Sequence, residues 1–476
     1  MHRHRIDFSR PRYLHQAPRL HLVTHNGSYP LVEFGDPVDR QSRSGHHPFR
    51  ERGRVLGEHP PQSLDDGWVA STIAAASSAS LFCRFIDLRS SPSARDLECT
   101  TGEWNCHFEC LSLRTYFTIL SQFRGYDMKI ETIAVAVPSR RISNKDVLDR
   151  IGSESTLLST SQMTAVKRKV KRMLEISGSK YRFVRDLTEH EQAHTLICSA
   201  IEQSMQVTEV SPSEIDVLIY CGVGRGLLEP ANAYVYSAEF AMSCQCFDVA
   251  DGCMSWVRSA QVAWGLFQSD DDVNRVLVVN GEFNAFEHGY PDNFNIEEPG
   301  QLDYKFPTYT IGEAATATIF SRSNRDWRFH FRTIPESVDL CSIPLPRYEQ
   351  FVGLRHQKIG VAGTLNFAAF GSTMFEIADK ALVELVNYTL PGERDVDIFF
   401  PHAASSNFYK RLRKNLNVNP ALIYTDVYPR YGNIVSATIP MAIKCAVDEG
   451  RMSQGDMVCL APASAGMVVA TCLFEF

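Results

Sequence analysis

The chain has 476 residues, of which 44% are hydrophobic and 22% charged, and its 48 Lys and Arg against 55 Asp and Glu give a formal net charge of −7. This composition excludes a disordered, collagenous or disulfide-scaffold protein, and a general nucleic-acid binder would need a basic excess. No apolar run reaches the roughly 20 residues that cross a bilayer, and the N-terminus lacks the apolar stretch of a secretory signal. We therefore expect a cytoplasmic protein with no nucleic-acid or membrane partner.

The first 127 residues differ in composition from the rest. They contain fifteen Arg, no Lys and nine of the fifteen His, with little helix or strand periodicity. We expect residues 1–127 to be either a disordered extension or upstream sequence misassigned ahead of a start at Met128. Fourteen Asp and Glu in this segment disfavour an organellar targeting sequence. No metal site is predicted from four residues whose spacing fits no common zinc template, namely Cys99, Cys106, His107 and Cys110.

Regular elements begin at Met128 and follow a repeated order. The patterns predict strands at 129–138, 215–221, 275–280, 395–400 and 456–461, and helices at 194–205, 254–267, 374–386 and 434–447. The strands are continuously apolar, which is typical of sheets covered on both faces by helices. These elements predict an α/β fold.

The order of elements indicates that one unit occurs twice. From Asp216 to Cys253 is 37 residues, and from Asp397 to Asn433 is 36. Each interval runs from an apolar strand to the start of an apolar helix. The spacing therefore predicts that Cys253 and Asn433 occupy matching helix N-termini.

Cys253 is the candidate nucleophile. It follows a predicted strand and a tight turn that contains Gly252. The dipole and unpaired N–H groups of a helix N-terminus favour a thiolate, so we expect a lowered pKa for this thiol. A buried structural cysteine is the alternative interpretation.

Two polar residues accompany it in the second half. His402 follows the predicted strand at 395–400, and Asn433 lies in a turn before a helix. Ligands gather at the carboxyl ends of strands in α/β sheets, although a loop His or a helix-capping Asn would each be ordinary alone. Together the three form a Cys/His/Asn set.

Four motifs in order resemble the ketoacyl-ACP synthase III enzymes of the thiolase superfamily. They are Phe-Asp-Val-Ala-Asp-Gly-Cys at 247–253, Pro-His-Ala-Ala-Ser-Ser-Asn at 401–407, Tyr-Gly-Asn-Ile-Val-Ser-Ala-Thr-Ile-Pro at 431–440 and Ala-Ser-Ala-Gly-Met at 463–467. The resemblance implies a thiolase-like duplicated layered fold of helices and two mixed sheets. Residues 128–300 would be the half with the nucleophile, and 301–476 the half with His and Asn.

The resemblance also implies an activity. An acyl group would pass from acyl-CoA or an acyl carrier protein to Cys253, and a malonyl thioester would then condense with it after losing CO₂. His402 and Asn433 would hold the thioester carbonyl of the second substrate. The backbone N–H groups of Cys253 and Gly466 would form the oxyanion hole. The resemblance implies no cofactor and no metal. It also implies a homodimer.

Other residues carry further expectations. The cluster Lys410, Arg411, Arg413 and Lys414 is a candidate docking site for an acidic carrier protein. Glu229 resembles the loop glutamate that acts as base in olefin-forming condensing enzymes, so non-decarboxylating acyl transfer or head-to-head condensation is an alternative. A non-catalytic partner subunit is the alternative of another class.

A glycine-rich segment follows the strand at 215–221. Gly222-Val-Gly-Arg-Gly226 fails the dinucleotide-binding template, because Leu227 stands where the last glycine belongs. We expect these glycines to serve close backbone packing instead.

Overall fold

A computed structural model of the protein describes residues 127–285, 291–353, 355–390, 396–402, 404–416 and 418–476. The expectations for residues 1–126 and for 391–395 lie outside the described residues. The boundary at residue 300 stays a prediction.

The described residues form strands and helices of very unequal length. The strands are β1 (Asp127–Ala136), β2 (Arg140–Ser143), β3 (Tyr181–Val184), β4 (Val217–Cys221), β5 (Gln245–Val249), β6 (Arg275–Glu282), β7 (Ala314–Ser323), β8 (Trp327–Thr333), β9 (Cys341–Ser342), β10 (Ala368–Ala369), β11 (Ile398–Pro401), β12 (Met457–Ala461), β13 (Ala463–Ser464) and β14 (Val468–Glu475). The α-helices are α1 (Asn144–Glu154), α2 (Thr160–Ser177), α3 (Ala193–Thr208), α4 (Ala233–Glu239), α5 (Ser255–Ser269), α6 (Leu302–Lys305), α7 (Glu349–Val352), α8 (Gly371–Thr389), α9 (Ser406–Asn415), α10 (Val427–Tyr431) and α11 (Thr438–Asp448).

Two mixed sheets repeat one strand order. The first runs β1-β7-β6-β4-β5, with β6, β4 and β5 parallel and the other two pairs antiparallel. The second runs β11-β12-β14, with β11 and β12 parallel and with β8 and β13 both antiparallel to β14. The run β14-β12-β11 therefore repeats β7-β6-β4. Strands β2 with β3, and β9 with β10, form separate short ribbons.

The helices cover both faces of both sheets. Helix α3 packs on the outer face of the first sheet, and α8 and α9 pack on the outer face of the second. Helices α5 and α11 share the central core with apolar side chains from both sheets. Because β4 and β12 are buried along almost their whole length, their sequences are continuously apolar rather than alternating. The layered α/β fold predicted from the sequence is confirmed.

The element boundaries depart from the predicted ones in an informative way. The predicted helices at 254–267 and 434–447 each begin with a 3₁₀ turn, Gly252–Met254 and Val435–Ala437, before α5 and α11 start. The two turns therefore have the same local form in both halves. Within the described residues, no helix combines the length and apolar character needed to cross a membrane.

Candidate active site

A cavity of about 690 Å³ lies where the two halves meet. Cys253, His402 and Asn433 all line it. Its wall is otherwise mainly apolar, with side chains that include Phe306, Ile311, Phe367, Phe370, Met374 and Phe375. The 3₁₀ turn that holds Cys253 packs directly against the turn that follows Asn433, which brings residues far apart in sequence to one wall.

The nucleophile turn is fixed by the C-terminal loop. The hydroxyl of Ser464, on β13, accepts a hydrogen bond from Met254 N–H (3.2 Å) and donates one to Asp251 C=O (3.2 Å). Gly252 has a φ of +53°, and a Cβ there would lie 3.0 Å from Ser464 Oγ. Both the backbone conformation and the close approach therefore favour glycine before the cysteine.

The expectation of a lowered pKa for Cys253 is wrong for the free protein. Burial raises the pKa of this thiol well above its ordinary value, and the neighbouring Cys341 and Glu282 raise it further. Its own backbone N–H and the Ser464 hydroxyl act in the opposite direction. The desolvation of a charged sulfur outweighs the helix N-terminus, so the resting group is a thiol.

His402 lies directly after β11 and is only 5% exposed. Burial lowers the pKa of its imidazole to about 4, so the ring is neutral at pH 7. Its Nδ1 has no hydrogen-bond partner within the described part of the chain. A neutral imidazole on the cavity wall can donate one N–H without bringing a buried charge.

Asn433 is held by its backbone and by one side of its carboxamide. Its N–H donates to Thr310 C=O (2.8 Å), its C=O accepts from Gly312 N–H (3.0 Å), and its Oδ1 accepts from Val435 N–H (3.0 Å). Because the oxygen is occupied by a backbone donor, the amide NH₂ is the group left to serve a ligand. The preceding Gly432 has a φ of +75°, and a Cβ there would lie 2.4 Å from Thr310 C=O.

The other predicted residues are placed differently. Gly466 lies between Ala465 and Met467, which both line the cavity. Glu229 is exposed on the loop after β4 and is not among the residues that line the cavity.

The basic cluster divides into two pairs. Lys410 and Lys414 are exposed on α9. Arg411 lines the cavity and pairs with Asp379 (3.2 Å), while Arg413 donates to the C=O of Ile423 (3.2 Å) and to the hydroxyl of Thr425 (3.3 Å). Both arginines are therefore partly buried and bound to other groups of the chain.

Two groups near the nucleophile were not predicted from the sequence. Cys341, on β9, is a second thiol on the cavity wall, and burial raises its pKa to about 12. Glu282 is a fully buried acid at the end of β6, and burial raises its pKa to about 7. A charged residue at the carboxyl end of a continuously apolar strand was the available signal. No group of three or more His, Cys, Asp or Glu among the described residues could hold a metal ion.

The expected close packing of the glycine-rich segment is confirmed at Gly222 and Gly224 but is wrong for Gly226, where nothing lies within 4 Å of an added Cβ. A Cβ at Gly222 would lie 2.9 Å from Glu282 Oε1, and one at Gly224 would lie 2.6 Å from Gly281 C=O. These glycines let the loop close over the strand end that carries Glu282.

Sequence comparisons relate the chain to 3-oxoacyl-[acyl-carrier-protein] synthases. Residues 392–476 match the family described as 3-oxoacyl-[acyl-carrier-protein] synthase III C terminal. The chain is 22% identical over 354 residues to beta-ketoacyl-[acyl-carrier-protein] synthase III of Campylobacter jejuni, and 25% identical over 365 residues to that of Helicobacter pylori. In both comparisons the match covers 73% of this chain and 97% of the relative. These relatives are named as enzymes, which disfavours a non-catalytic partner subunit.

Solved structures share the fold. OleA of Xanthomonas campestris superposes with a TM-score of 0.62 at 18% identity, covering 74% of this chain and 99% of that one. A second OleA structure, with bound lauric acid and lauroyl-CoA, gives a TM-score of 0.62 at 19% identity and 99% coverage of that chain. The chain is thus an acyl-condensing transferase of the thiolase fold that resembles the ketoacyl-ACP synthase III enzymes.

Proposed function

We propose that the protein joins two acyl thioesters by decarboxylative condensation, with Cys253 as nucleophile. The observation that carries the proposal is the position of Cys253, His402 and Asn433 on the wall of one mainly apolar cavity. An apolar cavity with a few convergent polar groups suits an acyl chain that carries a reactive thioester at one end.

In the first step the sulfur of Cys253 attacks the carbonyl carbon of an acyl-CoA or acyl carrier protein. The new C–S bond forms as the old one breaks, and the thiol proton leaves with the departing CoA or carrier thiolate. Because the resting group is a thiol with a raised pKa, loss of that proton belongs to the acylation step itself. The oxyanion would be met by the backbone N–H groups of Cys253 and Gly466.

In the second step a malonyl thioester loses CO₂ and leaves an enolate. We assign the donors for the enolate oxygen to the neutral imidazole of His402 and the carboxamide NH₂ of Asn433. The carbanion attacks the acyl-Cys253 carbonyl, and the tetrahedral species collapses to a 3-oxoacyl thioester. The released cysteine thiolate then regains a proton.

The partners follow from the surface around the cavity. Lys410 and Lys414 would dock an acidic carrier protein, and α2, which packs beside α9, adds exposed Arg168 and Lys169.

A second copy of the chain would cover the exposed apolar loop after β4, where Leu228 is 76% exposed. A cytoplasmic location remains a prediction.

The test is a mass measurement on the intact protein after incubation with acyl-CoA. The wild type should gain the mass of one acyl group, and Cys253→Ala should not. Absence of the adduct from the wild type, or an undiminished adduct on the variant, would contradict the proposal.

The rival is condensation without decarboxylation, with Glu229 as base. Because Glu229 does not line the cavity of the single chain, that mechanism requires a second copy to bring it there. Release of ¹⁴CO₂ from labelled malonyl thioester in step with product supports the proposed reaction. Product without ¹⁴CO₂ supports the rival.

A further inference from the structure

Glu282 is a fully buried carboxylate that the proposed reaction does not use. It ends β6 in the first half, and it lies close enough to Cys253 to influence the charge on that thiol. An ionised carboxylate is very costly to bury unless hydrogen-bond donors surround it. The hydrogen-bond donors around Glu282 therefore indicate the role of this side chain.

The first half supplies three of these donors. Val223 N–H and Gly224 N–H point to Glu282 Oε2, at 3.3 and 3.4 Å, and Asn284 Nδ2 donates to the same oxygen at 3.1 Å. The glycines at 222 and 224 leave the space for this approach.

The second half supplies the remaining two donors, and both come from Ser436. Its backbone N–H donates to Glu282 Oε1 at 3.2 Å, and its hydroxyl donates to the same oxygen in a short hydrogen bond. Ser436 Oγ also accepts from Asn280 Nδ2 at 2.6 Å, so both of its hydrogen-bonding directions are used. The link crosses from β6 to the 3₁₀ turn Val435–Ala437.

That turn also orients Asn433. The carboxamide oxygen of Asn433 accepts from Val435 N–H, the neighbour of Ser436. The same turn packs against the turn that carries Cys253. A carboxylate that fixes Ser436 therefore fixes the group that orients the Asn433 amide.

We propose that Glu282 is a positioning residue that holds the Asn433 carboxamide in register with Cys253 across the seam. This inference rests on the proposed function. Glu282 accepts hydrogen bonds from groups of both halves, and it acts on the second half-reaction through Ser436 rather than by contact with substrate.

Loss of the Glu282 carboxylate should affect the two half-reactions, attack by the Cys253 sulfur and condensation, in different ways. The negative charge of Glu282 disfavours a second negative charge on the sulfur of Cys253, so its removal should leave the sulfur at least as reactive. Misplacement of Asn433 should slow condensation. A purely structural role would slow both reactions together.

The experiment compares wild type with Glu282→Gln, which keeps the shape of the side chain but places an NH₂ group among N–H donors. We expect condensation, followed as ¹⁴CO₂ release per acylated enzyme, to fall about 100-fold, the scale of a misplacement near 1 Å. We expect iodoacetamide to alkylate Cys253 at an unchanged or higher rate.

Ser436→Ala removes the hydroxyl that donates to Glu282, and so it breaks the same contact from the other half. It replaces Glu282→Gln in the test if that variant does not fold. It keeps the backbone donor, so we expect a loss of about tenfold, typical of one hydrogen bond to a charged group. The double variant should be no slower than Glu282→Gln alone, because both changes break one contact.

The control is Glu313→Gln, at a second buried carboxylate that accepts from backbone N–H groups of Arg185 (2.8 Å) and Ala285 (2.9 Å) and, unlike Glu282, also pairs with the buried guanidinium of Arg185 (3.2 Å). This variant should lose stability without separating the two rates. If Glu282→Gln condenses within twofold of the wild type, or if alkylation and condensation fall together, the inference is wrong. A wild type that forms no acyl adduct overturns the proposed function itself.

Discussion

Strands β4 and β11 occupy equivalent places in the two sheets, yet the residues that follow them differ completely. After β4 the chain continues with Gly222, and after β11 with His402. A side chain at Gly222 would meet the carboxylate of Glu282 at 2.9 Å, whereas no acid approaches His402 among the groups that shift its pKa. The first half therefore has a buried acid beside the position where the second half has an imidazole.

The equivalent helix starts differ in the same way. Both follow a 3₁₀ turn, but one turn carries the thiol of Cys253 and the other follows the carboxamide of Asn433. Duplication supplies two similar scaffolds, and the chemistry arises because the halves have been specialised for different tasks. In our proposal the first half holds the acyl group and the second half activates the partner that attacks it.

The largest expected effect separates these two tasks. His402→Ala and Asn433→Ala should each reduce CO₂ release about 10²–10³-fold, the loss typical of one oxyanion donor. The acyl adduct on Cys253 should still form at a rate near that of the wild type. Mass spectrometry for the adduct and ¹⁴CO₂ counting for condensation measure the two tasks separately. If either variant lost the adduct as well, the division between the halves would be wrong.

The next effect concerns the glycine before Asn433. Gly432 has φ +75° and ψ −162°, a conformation that is almost confined to glycine, and a Cβ there would lie 2.4 Å from Thr310 C=O. Gly432→Ala should therefore destabilise the protein by about 3 kcal/mol, from backbone strain and the clash together.

The matched control is Gly450→Ala, where φ is +66° and nothing lies within 4 Å of an added Cβ. It should lose only about 1 kcal/mol, the usual strain of a left-handed residue. Urea unfolding of both variants provides the measurement. Equal losses would show that the approach of Thr310 to Gly432 has no energetic weight.

Glu282 in the first half and His402 in the second should affect stability with opposite dependence on pH. The raised pKa of Glu282, from 4.5 to about 7, stabilises the fold below pH 4.5, and this contribution is lost as the pH rises through 7. The lowered pKa of His402, from 6.5 to about 4, contributes stability above pH 6.5 that is lost as the pH falls through 4. Each contribution amounts to about 3 kcal/mol.

Unfolding free energies measured between pH 4.5 and 7 test this opposition. Glu282→Gln should become more stable relative to the wild type as the pH rises, and His402→Ala should become more stable relative to it as the pH falls. Stability curves that ran parallel to that of the wild type would mean that neither group titrates as its burial requires.

The smallest effect lies on the surface of the second half. Lys410→Glu with Lys414→Glu should raise the KM for carrier-protein thioesters several-fold, because exposed charge pairs each contribute up to about 1 kcal/mol. The KM for CoA thioesters should not change. Lys145→Glu with Lys444→Glu makes the same change of charge on α1 and α11, at two lysines that each pair with an Asp of their own helix, and it should change neither KM. If both double variants raised this KM equally, carrier-protein binding would depend on net charge and not on a docking site on α9.

The sequence predicted the scaffold better than the electrostatics of the site. The apolar strands and the matching intervals to Cys253 and Asn433 depend on periodicity and spacing, which are local properties. The pKa of Cys253 depends on burial between the halves and on Glu282, which lies 29 positions further along the chain but close to it in space. Local sequence pointed to the helix N-terminus and could not show how much water the fold removes from the sulfur.

The basic cluster shows the same limit at the surface. Lys410, Arg411, Arg413 and Lys414 form one run in sequence, and charge alone does not distinguish them. The turn of α9 sends Arg411 toward Asp379 and Arg413 toward Ile423, and leaves the two lysines exposed. Helical geometry thus divides a run of like charges between structural and exposed positions.

A crystal structure of the protein acylated on Cys253 would show whether the three side chains share one site. We predict that the acyl chain fills the cavity and that His402 Nε2 and Asn433 Nδ2 lie within about 8 Å of Cys253 Sγ, so that a thioester held by hydrogen bonds to both can reach the acyl carbonyl on the sulfur. An acyl chain outside the cavity, or either side chain turned away beyond that distance, would contradict it.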